Sequence, residues 1–182
     1  MMGGNMVPGE MPVSLTEARG WLRMGTTVDD AVVAQMIRAA TNVCEAFIGR
    51  RLIVRAAEEE VALRAGVAQL SIRPVVGVDA VTLLTAASGE TVLEESDYRL
   101  TIGRDGTARV APTAAGTAGR LRILYRAGLA VGANDIPEAI RQGIVRLVQH
   151  LHEARDGAGT APPAAVAALW QPWRRVGLGG AA

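Results

Sequence analysis

Lysine is absent from this chain: arginine alone supplies its 19 basic residues, which face 18 acidic ones and leave a formal net charge of +1 over 182 residues. So balanced a chain sets up no global field toward nucleic acid or anionic lipid, and any contact with either must be local. The uniform choice of arginine fits a GC-rich coding sequence better than a mechanism, although the guanidinium also suits bidentate interface pairs. Cysteine occurs once, at Cys44, which excludes an intrachain disulfide and a cysteine-rich zinc site and is compatible with a cytoplasmic setting. No window has the length of a membrane-spanning helix, and residues 1–11 carry no basic segment ahead of a long apolar run. A soluble, unprocessed chain without a membrane partner is therefore expected. Aromatic residues make up only 3% of the chain, so the core must be built from Ala, Val, Leu and Ile, and each large ring is conspicuous.

Hydrophobic residues are plentiful at 49%, enough for one ordinary domain with a buried core. Residues 1–12, rich in Met, Gly and Pro, read as a flexible leader. Ser14 followed three positions later by Glu17 is a capping box and predicts a short helix over residues 15–24. After Gly25-Thr26-Thr27, capped by Thr27 or Asp29, comes a longer helix. Its apolar positions Val33, Met36, Ile37, Ala40, Val43, Cys44, Phe47 and Ile48 form one stripe, and Gly49 ends it. From residue 50 to 128 the period shortens, and strands are predicted over residues 69–72, 75–84, 98–102 and 120–126. Ser88-Gly89 and Asp105-Gly106 are the expected tight turns. Helical spacing returns after Asp135, which is expected to cap a helix with Pro137 in its first turn and Ile140, Ile144, Leu147, Val148 and Leu151 on its stripe.

The two long stripes need each other, because neither helix buries its apolar face alone. The expected fold is α+β and mainly helical: a short helix, two long packed helices and a C-terminal helical tail, with an antiparallel β module inserted at about residues 50–128. The domain is expected over residues 13–160 and the tail over 161–182, separated by a hinge at Asp156-Gly157-Ala158-Gly159.

No catalytic constellation emerges. His150 and His152 stand at i and i+2 of a helix, point to different faces and do not form a metal site as an i, i+4 pair would. Cys44 lies in an apolar stripe, where a free cysteine behaves as a small hydrophobe. Glu58-Glu59-Glu60 alternates faces along a strand and reads as a solvated edge that discourages aggregation. Neither a cofactor nor a metal is expected, and the chain does not read as an enzyme. In the tail, Trp170 and Trp173 beside Arg174 and Arg175 have the composition of an interface anchor, since Trp and Arg dominate binding hot spots.

An ordered series of motifs points further. It comprises Ser14-Leu15-Thr16-Glu17-Ala18, Phe47-Ile48-Gly49-Arg50, Arg73-Pro74-Val75, Tyr125-Arg126-Ala127-Gly128 and Asp135-Ile136-Pro137-Glu138-Ala139-Ile140-Arg141-Gln142. Pro163, Val166, Leu169, Pro172, Trp173 and Arg174 close it. The series resembles the head–tail connector (adaptor) proteins of tailed phages, including the related adaptors of gene transfer agents. That family usually has an aromatic residue where Leu129 stands here, and the Met- and Gly-rich leader is a second departure.

The resemblance implies a virion structural protein of the head–tail neck, assembled in the host bacterial cytoplasm. It implies a homo-oligomeric ring, dodecameric, beneath the portal protein, with a stopper or tail terminator protein docking on its tail side. DNA would pass through the channel without sequence-specific binding. On this reading Trp170, Trp173, Arg174 and Arg175 would meet the portal, and Arg120, Arg122 and Arg126, spaced along one strand, would line the channel or join salt-bridged subunit contacts. The alternative from another class is a helix-turn-helix DNA-binding protein, suggested by the first two helices, but the second carries few basic residues near its start, where base contacts normally originate.

Overall fold

The computed structural model describes residues 10–25, 29–85, 89–114, 119–153 and 162–174. The leader up to Gly9, the hinge at Asp156–Gly159, the caps and turns at Thr26, Thr27 and Ser88, and Arg175 in the tail lie outside the described residues. Within them the capping signal at Ser14 is half met. Ser14 Oγ accepts from the Glu17 amide at 3.1 Å and starts α1, Leu15–Leu22. The Glu17 carboxylate does not reach back to close the box; it accepts from Arg141 at 2.7 Å instead.

The second helix, α2, runs from Asp30 to Ile48. Asp29 precedes it without the expected side-chain cap, and Gly49 ends it with a left-handed φ of 68° that disfavours any residue with a Cβ. At 19 residues α2 is long and apolar enough to cross a membrane by length and composition, contrary to the expectation that no segment would be. Its character is nonetheless amphipathic. Val33, Ile37, Ala40, Cys44 and Ile48 are buried at spacings of three and four, which is the stripe of a core helix. The third helix, α3 (Glu138–Glu153), packs against α2 with Ile140, Ile144, Leu147 and Val148 buried. Asp135 does not cap it, because its carboxylate folds back onto the Gly132 amide at 3.2 Å within a 3-10 turn over Ala133–Asp135. A short fourth helix, α4 (Ala164–Trp170), packs on α3 and α2.

Between α2 and α3 lie seven strands: β1 Arg55–Ala62, β2 Ala68–Gln69, β3 Val75–Thr85, β4 Gly89–Leu93, β5 Tyr98–Ile102, β6 Ala108–Pro112 and β7 Arg120–Ala127. They form two antiparallel sheets, one ordered β1-β7-β3-β4 and the other β2-β6-β5. Of the four strands expected, β3, β5 and β7 match closely. The one placed at residues 69–72 shrinks to β2, because the Ser71 amide and hydroxyl and the Ile72 amide bond the Glu59 carboxylate rather than a neighbouring strand. The turn at Asp105-Gly106 forms: the Gly106 amide donates to the Gly103 carbonyl at 2.9 Å, and φ at Gly106 is 76°.

Inward residues of both sheets, among them Ala57, Leu70, Val81, Val110, Leu121, Ile123 and Tyr125, share one buried cluster, so the sheets stack face to face. Strands β4 and β6 are missed by the sequence reading, and β1 is read as a strand only at Glu58-Glu59-Glu60; these strands are short or rich in Ala, Glu and Arg and carry little of the β-branched signal that marks strands.

Contacts divide the chain into two compact units, one built on Val54–Leu129 and the other on Glu10–Ile53 with the chain from Ala130 onward. Where the chain leaves and rejoins the helical unit, Ile53 and Ala130 form a parallel bridge and the Ala130 amide donates to the Leu52 carbonyl at 2.9 Å. The fold is α+β. The expected predominance of helix is not seen, because strands contribute comparably.

Candidate interaction surfaces

The tail tests the sequence reading most directly. Trp170 is 0% exposed. Its indole N–H donates to the Ile140 carbonyl at 3.2 Å, and its ring lies 5.8 Å from the Phe47 ring at a tilt of 54°, a favourable tilted aromatic geometry. The glycine at 143 makes this possible: a Cβ there would come within 2.1 Å of Trp170 Nε1. Trp170 thus completes the core of its own subunit, and its expected role as an exposed interface ring is corrected. A tryptophan whose N–H finds a carbonyl and whose ring finds a notch gains more from burial than from exposure.

The other two described tail residues remain accessible. Trp173 is half-buried in the turn Gln171–Trp173, and Arg174 is exposed. The Arg174 guanidinium carbon stands 5.3 Å from the Phe47 ring centroid, within cation–π range. Sequence reasoning missed Phe47 as a tail contact; the signal available was that it is the only phenylalanine in the chain.

Arg120, Arg122 and Arg126 alternate along β7 on the sheet face opposite the core, between buried Leu121, Ile123 and Tyr125. Each is met by carboxylates of neighbouring strands. Arg122 reaches Glu60 on β1 and Glu90 on β4, both at 3.0 Å; Arg126 reaches Asp79 on β3 at 3.0 Å, and Arg120 lies 3.9 Å from Glu60. The hydrogen bond that Arg122 donates to Glu90 comes first, and those it donates to Glu60 second, in holding its guanidinium above the ordinary pKa. Arginines already matched in this way present little free positive charge to a phosphate backbone.

Glu59 departs from its neighbours. On the core side of β1 it accepts from Ser71 Oγ at 2.6 Å, from the Ser71 and Ile72 amides at 3.1 and 3.3 Å, and from the Tyr125 hydroxyl. The solvated-edge reading of residues 58–60 is therefore corrected at Glu59, which ties β1 to the segment after β2 and to β7. Cys44 is fully buried, and desolvation, with a smaller contribution from Glu45, pushes its thiol well above the ordinary range. A thiol held neutral in this way is a packing group and not a nucleophile. His152 borders a 290 Å³ cleft with Asp29, Val32, Val33 and Met36, and among the described residues no group of three potential metal ligands converges. The start of α2 is acidic, and Asp30 pairs with Arg19 at 3.4 Å, which gives a DNA-reading helix nothing to offer a phosphate.

The family model for head completion proteins matches residues 13–158. This chain belongs to the head completion protein family. Its likeness to phage head–tail connectors, read from the ordered motifs between Ser14 and Arg174, is borne out. No curated protein matches the chain significantly. Among solved structures, the chain is similar to a subunit in the neck of an empty GTA particle computed with C6 symmetry, at 29% identity and a TM-score of 0.79, covering 99% of both chains. It is similar also to a chain of the virion of a native gene transfer agent (GTA) particle, at 28% identity, a TM-score of 0.76 and 99% coverage of both. A third match is the neck of a native GTA particle computed with C12 symmetry, at 26% identity and a TM-score of 0.76, covering 100% of this chain and 99% of the other.

Proposed function

We propose that this head completion protein is a structural subunit of the neck of a tailed phage or gene transfer agent particle, forming a ring between the portal and the tail. The observation that carries this is the end-to-end match to neck subunits, which covers both units of the chain and leaves almost nothing of either protein unaligned. A C12-symmetric neck among the similar structures supports twelve copies. The channel through such a ring would pass DNA without gripping it, and the carboxylate-matched arginines of β7 suit that role, because each unmatched phosphate contact would add affinity. No catalytic step is assigned to the chain.

Trp173, Arg174 and Arg175 are the tail residues proposed to meet the portal, with Trp170 as their buried anchor. A stopper or tail terminator would dock on the opposite side of the ring, and assembly would take place in the bacterial cytoplasm before DNA-filled heads receive tails. The test is native mass spectrometry of the purified protein alone and mixed with the portal protein of the same particle. A ring of twelve copies, alone or on the portal, is expected. A strict monomer that ignores the portal overturns the reading.

A further inference from the structure

A closed ring requires two different faces on each subunit, so that the leading face of one copy meets the trailing face of the next. The β module carries such a pair by itself. In strand order β1 and β4 are the edges of the larger sheet, and β2 and β5 the edges of the smaller. Strand β1 contacts β2, while β4 leads into β5 through the single turn Glu95–Asp97. The stacked sheets therefore end in two opposite edges, and both are grooved. At the β4/β5 edge a groove of about 740 Å³ is lined by Val78, Leu93, Tyr98 and Leu100, with Glu94 and Glu95 beside them. At the β1/β2 edge a groove of about 690 Å³ is lined by Val61 and Val67, with Arg64 and Arg109.

Once internal pairs are set aside the two edges differ in sign, Arg64 and Arg109 outweighing the exposed Glu58 of β1 on one edge and carboxylates being in excess on the other. Glu60 and Asp79, which also border the grooves, are held by Arg122 and Arg126. Arg64 and Arg109 make no ion pair among the described residues, and Arg109 reaches only the neutral Gln69, at 3.4 Å. On the other edge Arg99 is outnumbered by Glu94, Glu95 and Asp97, all exposed. Val92, 68% exposed, and Leu100, 36% exposed, leave apolar surface there that water covers poorly.

We propose that neighbouring copies dock edge to edge, the acidic β4/β5 edge of one copy against the basic β1/β2 edge of the next. This rests on the ring reading above and sharpens it, because both ring contacts then belong to one folded unit. The test uses two full-length double variants, Glu94→Arg with Glu95→Arg, and Arg64→Glu with Arg109→Glu, followed by native mass spectrometry with and without the portal. Each variant alone then presents two edges of the same sign and is expected to lose the ring. Mixed in equal amounts they present opposite edges at every contact and are expected to recover rings of alternating copies, which also shows that both variants fold. Rings formed by either variant alone at the wild-type level, or a mixture that fails while both variants melt as the wild type does, overturn the edge contact and leave the ring reading standing. A wild-type protein that never assembles overturns the ring reading itself.

Discussion

In the helical unit, arginine–carboxylate pairs tie different helices together on partly buried side chains: Arg141 on α3 holds Glu17 on α1, and Arg19 on α1 holds Asp30 on α2. In the β module the pairs run sideways across adjacent strands on an exposed face, as Arg122 does to Glu60 and Glu90. The uncharged parts differ as well. The helices close their core with one tryptophan seated over a glycine, whereas the sheets close theirs with aliphatic residues and a buried tyrosine that bonds an inward carboxylate. The lesson is that similar residues serve packing in one unit and surface matching in the other. What separates the two uses is whether the backbone lets a side chain leave water.

Five measurements break or sharpen that contrast. The largest effect is expected from Trp170→Ala, which empties the seat over Gly143 and should destabilise the helical unit by about 3–5 kcal/mol in denaturant titration. Gly143→Ala should lose a part of the same stability, about 1–3 kcal/mol, by forcing the ring from its notch; a neutral result would show that α4 is not held as described. In the β module Tyr125→Phe removes one donor from Glu59 and should cost about 1–3 kcal/mol, read as a lower unfolding midpoint.

Cys44 gives a smaller, pH-dependent effect. Its thiol pKa is raised on folding, so the folded state keeps its proton where the unfolded chain has lost it. Stability is therefore unaffected below the ordinary value of 9.0 and falls as the pH rises above it. One pH unit beyond that value corresponds to about 1 kcal/mol, and the native thiol should resist iodoacetamide at pH 8 until the chain unfolds. The smallest effect belongs to Arg122→Gln. Exposed cross-strand pairs are screened by solvent and salt, so the melting temperature should stay unchanged within error, and a large loss would show that this face is covered in the isolated protein.

Much of this was legible before any coordinates. The stripe from Val33 to Ile48 places α2 and its buried side, because a helix repeats every 3.6 residues and five of its apolar positions, Val33, Ile37, Ala40, Cys44 and Ile48, are buried at that spacing. The alternation along β7 likewise separates Arg120, Arg122 and Arg126 from Leu121, Ile123 and Tyr125. Less was legible of the site. That Arg122 meets Glu60 and Glu90 depends on strand order, and β1 and β4 lie far from β7 in sequence. That Glu59 turns inward while Glu58 and Glu60 do not was readable as alternation, but not its four donors, which come from two distant segments.

The family and the course of the helices were therefore properties of the chain read alone, because periodicity and capping act over a few residues, and the order of short motifs survives where each motif is weak. Whether a given tryptophan or arginine faces a partner was settled only by tertiary structure. Trp170 and Trp173 are three positions apart and chemically identical, yet one is sealed over Gly143 and the other stands half in solvent. Burial is decided by what lies opposite a side chain in space, and for Trp170 that is a helix 27 residues earlier in the sequence at Gly143.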